Sequence, residues 1–430
     1  MGVNAVGMWL GRLLMAGYIA LTAAAALRYF KTALAEPVQT PAPPAGRTPW
    51  PKLLAWALGA FVASRLLVAL SCAAVYAAEN RTLAGFLTAL EGRLRPWDAD
   101  HYLGIIENMY VTEGDARFHI VFLPFFPAVC RALRWLTGMS PFAAAETVAN
   151  GALLGSGWAM FRLTEDADGP DTARRAMLLL MFCPMAYFYS IPYTESVFML
   201  VTLLAVLCAR RRRWGWALLF GAMASNTRVV GIAVAIPIFW EYLRAAREAD
   251  AARGLAETGS VRARRAALCA LKVLPVSAGL LAYLYVNYRL YGNPTQFMIF
   301  QQENWYQSFG SMAYTFQNSF ANALQYDDFL YRLGVWWPQV ALLAGVPLLA
   351  LWRRGREHPA DTAYLLVTHY VNFAPTWLLS GPRYLSATYA LYPMLARIPR
   401  GRKGFAALLT GECALLVYMS VVGLWYVKVY

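Results

Sequence analysis

Charge is scarce in this chain. Asp, Glu, Lys and Arg make up 14% of its 430 residues, against about 25% in an ordinary soluble domain. Histidine is rarer still, with four in the whole chain. The six cysteines (Cys72, Cys130, Cys183, Cys208, Cys269 and Cys413) have no metal-ligand spacing. Most lie inside apolar runs, so they read as small core residues. Sustained apolar/polar alternation is missing, which excludes a membrane β-barrel. No internal repeat is visible.

Apolar length is what the chain has instead. Several runs stay apolar for about 20 residues, enough to cross a hydrocarbon core. The expectation is an all-α, polytopic helical membrane protein. A net charge of +14 would suit a nucleic-acid partner, but its placement argues otherwise. Basic residues gather in short loops between apolar runs, at Arg210 to Arg213, Arg262 to Arg265, Arg353 to Arg356 and Arg397 to Lys403. That is the positive-inside pattern. The expected surroundings are a lipid bilayer and no nucleic acid.

The first apolar run, about 6–27, carries Arg12 and is followed by no clear cleavage motif, so it reads as a retained helix. A basic, proline-rich linker follows, with four prolines between Pro37 and Pro44. Residues 1–51 are therefore an N-terminal helix plus linker, and 52–430 the main domain. A second helix, about 53–77, runs outward. Residues 78–140 form a first long extracytoplasmic loop, with 120–136 lying in the interface because Pro124, Pro127, Arg131 and Arg134 interrupt it. Crossings are then expected at 142–163, 176–191 and 197–209. Two short apolar pieces, 214–224 and 229–240, meet at a polar break, Asn226-Thr227-Arg228. Further crossings are expected at 267–288, 333–352, 361–379, 384–396 and 405–427. A second long outer loop occupies 289–332. The total is about twelve crossings, with both ends outside.

The most costly charges sit in Arg95-Pro96-Trp97-Asp98-Ala99-Asp100-His101-Tyr102, beside a run of spanning length. Charge near hydrocarbon commonly marks a function. The expected outer turns collect Asp98, Asp100, His101, Glu195, Arg228, Glu303 and Arg383. Chemistry that needs a base and an anion clamp uses carboxylates and arginines in this way. Each has a plainer reading: Asp98 or Glu195 as a helix cap, Asp100 and Glu303 as solvated residues, His101 and Arg383 as interface residues. Asp98, His101 and His119 fit no strong zinc signature, and no metal is expected.

Five motifs in order resemble those of the GPI mannosyltransferase 2 (PIG-V) family. They are Trp97-Asp98-Ala99 with His101-Tyr102 and Ile105-Ile106-Glu107; Phe122-Leu123-Pro124-Phe125-Phe126-Pro127; Phe182 to Glu195, ending Tyr193-Thr194-Glu195; Ala224 to Gly231 with Arg228 and Gly231; and Gly381-Pro382-Arg383-Tyr384. The resemblance covers most of residues 50–400 and leaves out the first helix and linker. It implies a GT-C fold with an active site on the outer face of a cell membrane. It also implies an inverting hexosyl transfer, with mannose as the expected sugar, from a polyprenyl-phosphate sugar to a hydroxyl of a glycan, glycolipid or protein. That lipid-linked sugar is a substrate, and no cofactor is implied. Asp98 maps onto the catalytic base. Asp100, His101, Tyr193, Glu195, Arg228, Arg383 and Tyr384 are the expected substrate-binding set. Asp100 stands where a neutral residue is usual, which leaves the base open between Asp98 and Asp100. The alternatives are a lipid-linked sugar flippase and a non-catalytic subunit of a transferase complex.

Overall fold

The computed structural model describes residues 3–35, 46–254, 258–353 and 355–426. The prolines from Pro37 to Pro44, and Arg354 of one basic cluster, lie outside these residues. Every named element is a helix. Among the described residues the only β pairing is an isolated bridge between Phe309 and Pro375.

Among the described residues six segments are long and apolar enough to cross a membrane: Val3–Leu34, Trp50–Asn80, Val229–Ala252, Gly259–Tyr291, Phe329–Trp352 and Arg402–Tyr426. A seventh exists only if Asp115–Val121 and Phe125–Thr137 count as one span, and they are bent by 111°. That bend fits the reading of 120–136 as a segment that does not run straight across.

The count falls short of twelve because the inner helices are walled by other helices. Pro141–Asp168, Pro170–Met181 and Glu195–Arg210 each bury half or more of their residues inside the protein. A helix covered by protein needs neither full span length nor an apolar surface all round.

Several expected boundaries are corrected. Residues 384–396 are not one crossing but part of two six-residue helices, Gly381–Ser386 and Leu391–Ala396. Six residues make about 9 Å of helix, far short of a bilayer. Residues 176–191 stop being α-helical at Met181, and a 3-10 turn follows at Ala186–Ser190. Pro184 lies at this break, where a proline pushes the residue before it off helical geometry. The piece after Arg228 is longer than expected, running to Ala252 through a 3-10 turn and an α-helix.

Charged residues divide between the two ends of the same helices. Arg210 closes the Glu195–Arg210 helix and pairs with Asp361 at 2.7 Å. Around it Arg211 and Arg47 both hold Asp166. Arg397 joins Asp168 and Glu357, and Glu357 also takes Arg353. Three of the expected basic loops thus carry neighbouring groups of ion pairs at this end. Glu195 begins the same helix, about 22 Å away at 1.5 Å per residue.

Candidate active site

Asp98 begins the helix Asp98–Asn108, after a turn that ends in Pro96 and Trp97. Trp97 has φ +43° and ψ −104°, a backbone state that costs energy for a residue with a side chain. The turn is held from outside: the Tyr193 hydroxyl donates to the Pro96 carbonyl at 2.9 Å. Asp98 is not the helix cap. Trp97 occupies that position, with no side-chain cap bond.

The Asp98 carboxylate turns instead to Arg383. Both terminal guanidinium nitrogens lie 3.2 Å from Oδ2. No hydrogen bond reaches Oδ1 among the described residues. Arg383 stands in the short helix Gly381–Ser386. Gly381 permits that turn, because a Cβ there would lie 2.6 Å from the Phe373 ring and 2.9 Å from the Gln339 amide oxygen. The guanidinium is almost fully buried, with the rings of Tyr193, Tyr384 and Phe188 at 4.8, 4.9 and 5.4 Å. Cation–π contact steadies a desolvated charge in such a cage. Burial alone would lower the Arg383 pKa. Tyr384, Glu195 and Asp98 outweigh it and hold it above the ordinary arginine value.

Glu195 is the second carboxylate. Its Oε1 lies 2.7 Å from Arg228 Nη1 and 3.4 Å from Arg383 Nε. Its side chain is 1% exposed. Oε2 is buried with no hydrogen-bond partner. Arg228 sits in extended backbone between the Trp214–Thr227 helix and the Val229–Val234 turn, so the expected polar break is real. The break is close-packed: a Cβ on Gly231 would lie 2.1 Å from the Ala224 carbonyl oxygen. Arg228 also lies over the Tyr384 ring, at 4.7 Å. The result is a continuous row, Asp98–Arg383–Glu195–Arg228. Two cations face two carboxylates, so the row is neutral overall.

This row lines a cavity of about 540 Å³. Its opposite wall carries Gln301, Asn304, Trp305 and Gln307 from the second long loop. That wall is stapled in place. Gln301 donates to Gln307 at 2.8 Å, and Gln307 donates to the Trp377 carbonyl at 2.6 Å. Backbone bonds Thr376 to Ser308 and Gly310 to Ala374 complete the join. Amides and indole faces offer uncharged hydrogen bonds and flat apolar surface.

The expected site residues divide clearly. Asp98, Glu195, Arg228, Arg383, Tyr193 and Tyr384 all line the cavity. Asp100 and His101 do not. Asp100 is exposed on the far side of its helix. His101 stacks on Phe122 at 5.2 Å, with His119 at 5.1 Å and Trp305 at 5.7 Å. It supports the wall from behind. Burial lowers its pKa, while Asp98 and Asp100 push the other way. His119 falls further, to about 4, through burial and then the neighbouring His101. Glu303 is exposed and 3.6 Å from Arg117, which suits its reading as a loop residue. The amide wall carries no motif, and only the clustering of Gln, Asn and Trp in one loop pointed to it.

No known family model and no curated protein matches the chain, so the resemblance read from the five motifs rests on those motifs. Among solved structures the chain is similar to ArnT from Cupriavidus metallidurans bound to undecaprenyl phosphate. The TM-score is 0.49 and the identity 15%, over 83% of this chain and 62% of that one.

Proposed function

We propose that the chain is a membrane glycosyltransferase of the GT-C type. It moves a hexosyl group, mannosyl by the motif resemblance, from a polyprenyl-phosphate donor to an acceptor hydroxyl. The observation that carries this reading is the row Asp98–Arg383–Glu195–Arg228 in one cavity. It supplies a base, an anion clamp and a free carboxylate oxygen within contact of one another. The basic network at the other end of the Glu195–Arg210 helix supports an outward-facing cavity, by the positive-inside pattern.

The acceptor hydroxyl approaches Asp98 Oδ1. Its proton passes to Asp98 as its oxygen bonds to the anomeric carbon. The bond from that carbon to the phosphate oxygen breaks, and the phosphate leaves with the electron pair. Attack from the face opposite the phosphate inverts the anomeric centre. Protonation removes one negative charge from the row, leaving two arginines against one carboxylate. The positive excess appears as the phosphate gains charge, which is when stabilisation accelerates a reaction. Glu195 Oε2 accepts from a sugar hydroxyl, and the amide wall holds the rest of the ring.

The test is Asp98→Asn in the purified full chain, supplied with a polyprenyl-phosphate hexose and an acceptor. Transfer falls about a thousandfold, within the range that general-base removal costs, while donor binding stays. Near-normal turnover would sink the mechanism. Lipid-linked sugar crossing vesicles without transfer would favour a flippase. Inactivity of the wild-type chain alone would favour a non-catalytic subunit.

A further inference from the structure

The helix Trp50–Asn80 contributes no residue to the cavity lining, yet it carries Arg65 halfway along. An arginine inside a spanning helix is costly and commonly paired with an acid. Among the described residues Arg65 forms no ion pair. Its partners are neutral. Nη1 donates to the Ala186 carbonyl at 2.8 Å and to the Ser190 hydroxyl, and Nη2 donates to the Ser64 hydroxyl at 2.8 Å.

What those partners share is a stretch of irregular backbone. The helix Pro170–Met181 ends ahead of Pro184, and a helix end leaves its last carbonyls without partners of their own. At membrane depth such groups are satisfied within the protein. Ser64 donates to the Met181 carbonyl. Arg65 takes the next turn, Ala186–Ser190, by its first and last residues. A guanidinium offers several donors in a fixed planar fork, so one side chain holds both ends of a five-residue turn. The Ser190 hydroxyl then donates to the Asn150 amide oxygen at 2.8 Å, which ties the turn to the helix Pro141–Asp168.

The same turn supports the row of charges. The Phe188 ring lies 5.4 Å from the Arg383 guanidinium and 5.2 Å from the Tyr193 ring. The Tyr189 hydroxyl donates to the Ser386 carbonyl at 2.6 Å, and the Ser386 hydroxyl donates to the Arg383 carbonyl at 2.6 Å. Two routes therefore lead from Arg65 to Arg383, one through a ring and one through hydrogen bonds.

We propose that Arg65 is a positioning residue for the transfer: it locks the Ala186–Ser190 turn and, through Phe188 and Tyr189, sets the aim of Arg383 at Asp98. Its contribution is the placing of donors, since no carboxylate pairs with its charge. This inference rests on the transferase reading above.

The experiment reads geometry and turnover separately, on the full chain in nanodiscs. In Arg65→Met, hydrogen–deuterium exchange rises about tenfold over 186–190 and 381–386, the worth of one hydrogen bond to a charged group. Exchange over 3–35 stays as in wild type. With a polyprenyl-phosphate hexose and an acceptor, kcat falls about tenfold and donor KM stays within about twofold, because aim is lost rather than binding. Arg65→Lys keeps donors on a long stem and recovers kcat to within about threefold. Ser190→Ala removes one bond without stranding the charge, and lowers kcat about threefold. In Arg65→Met with Tyr189→Phe the combined loss is smaller than the product of the two, as both loosen one turn. Unchanged exchange over 381–386, a raised KM at constant kcat, no recovery by lysine, or exchange raised throughout the chain would overturn the assignment. Coupled exchange in a wild-type chain that performs no transfer would leave the link from Arg65 to Arg383 standing and remove the transferase reading.

Discussion

Arg383 reaches Asp98 across 285 positions of sequence, with both terminal nitrogens 3.2 Å from a single carboxylate oxygen. That one-sided grip is informative. It holds the carboxylate in place and leaves Oδ1 for a substrate. It also separates Asp98 from Asp100, two residues away and facing solvent.

Asp100→Asn is therefore the matched control for Asp98→Asn. Transfer by the Asp100 variant stays within about twofold of wild type, as for a surface change away from any partner. A loss as deep as that of Asp98→Asn would move the base to Asp100. Steady-state kinetics on the two variants decides it.

Glu195→Gln breaks a buried ion pair and takes from Arg228 its carboxylate partner, while Arg383 keeps Asp98. Removing one partner of such a pair costs about 3–5 kcal/mol. The thermal midpoint in detergent drops accordingly, and inorganic phosphate restores part of it by supplying the missing charge. A midpoint equal to wild type would show that the row is well solvated.

Tyr193 is a positioning residue. Its ring lies against Arg383 and its hydroxyl ties down the strained turn before Asp98. Tyr193→Phe keeps the ring and loses the bond, worth about 1 kcal/mol. The expected result is a kcat lowered about fivefold with KM little changed. A raised KM at constant kcat would mean instead that the hydroxyl contacts substrate.

Gly231→Ala forces a Cβ against the backbone at Ala224, which has no side chain to swing aside. The Val229–Val234 turn must shift, carrying Arg228 with it. Transfer falls by at least about tenfold, and long-chain donor binding weakens as well. Wild-type values for both would show that the turn is free to move.

His119 gives a pH signature. Its pKa is lowered to about 4 in the folded protein, against about 6.5 unfolded. Between these values the unfolded chain binds the extra proton, so stability rises with pH. It is fully present above about 6.5 and declines as pH falls toward 4. His119→Asn flattens this part of the stability–pH curve, measured by unfolding at several pH values. An unchanged slope would assign the loss to other groups.

Sequence alone determined the solvent and the class of fold. Scarce charge and apolar runs of spanning length require a membrane helix protein, because backbone groups in lipid must bond within their own segment. The polar residues were legible too, since each stands where a charge is costly and therefore visible. Gly231 and Gly381 were visible as motif positions, and the structure gives the reason: a Cβ would come within 2.1 and 2.6 Å of neighbouring atoms.

What tertiary structure decided is which of those residues meet. The motif resemblance favours Asp98 but leaves Asp100 open, and it is the helix phase that turns one to Arg383 and the other to water. In sequence Glu195 reads either as a cap or as a site residue, and packing places it between two arginines. Among the described residues six segments pass as spans on length and composition, fewer than the twelve expected, because a helix buried by neighbours need not look like one buried by lipid. Pro382 and Pro393 lie where the expected 384–396 crossing gives way to short turns. The amide wall had no motif, since it is joined to the rest of the cavity by bonds between loops far apart in the chain. Local pattern carries the cost of each group; only packing says which groups offset one another.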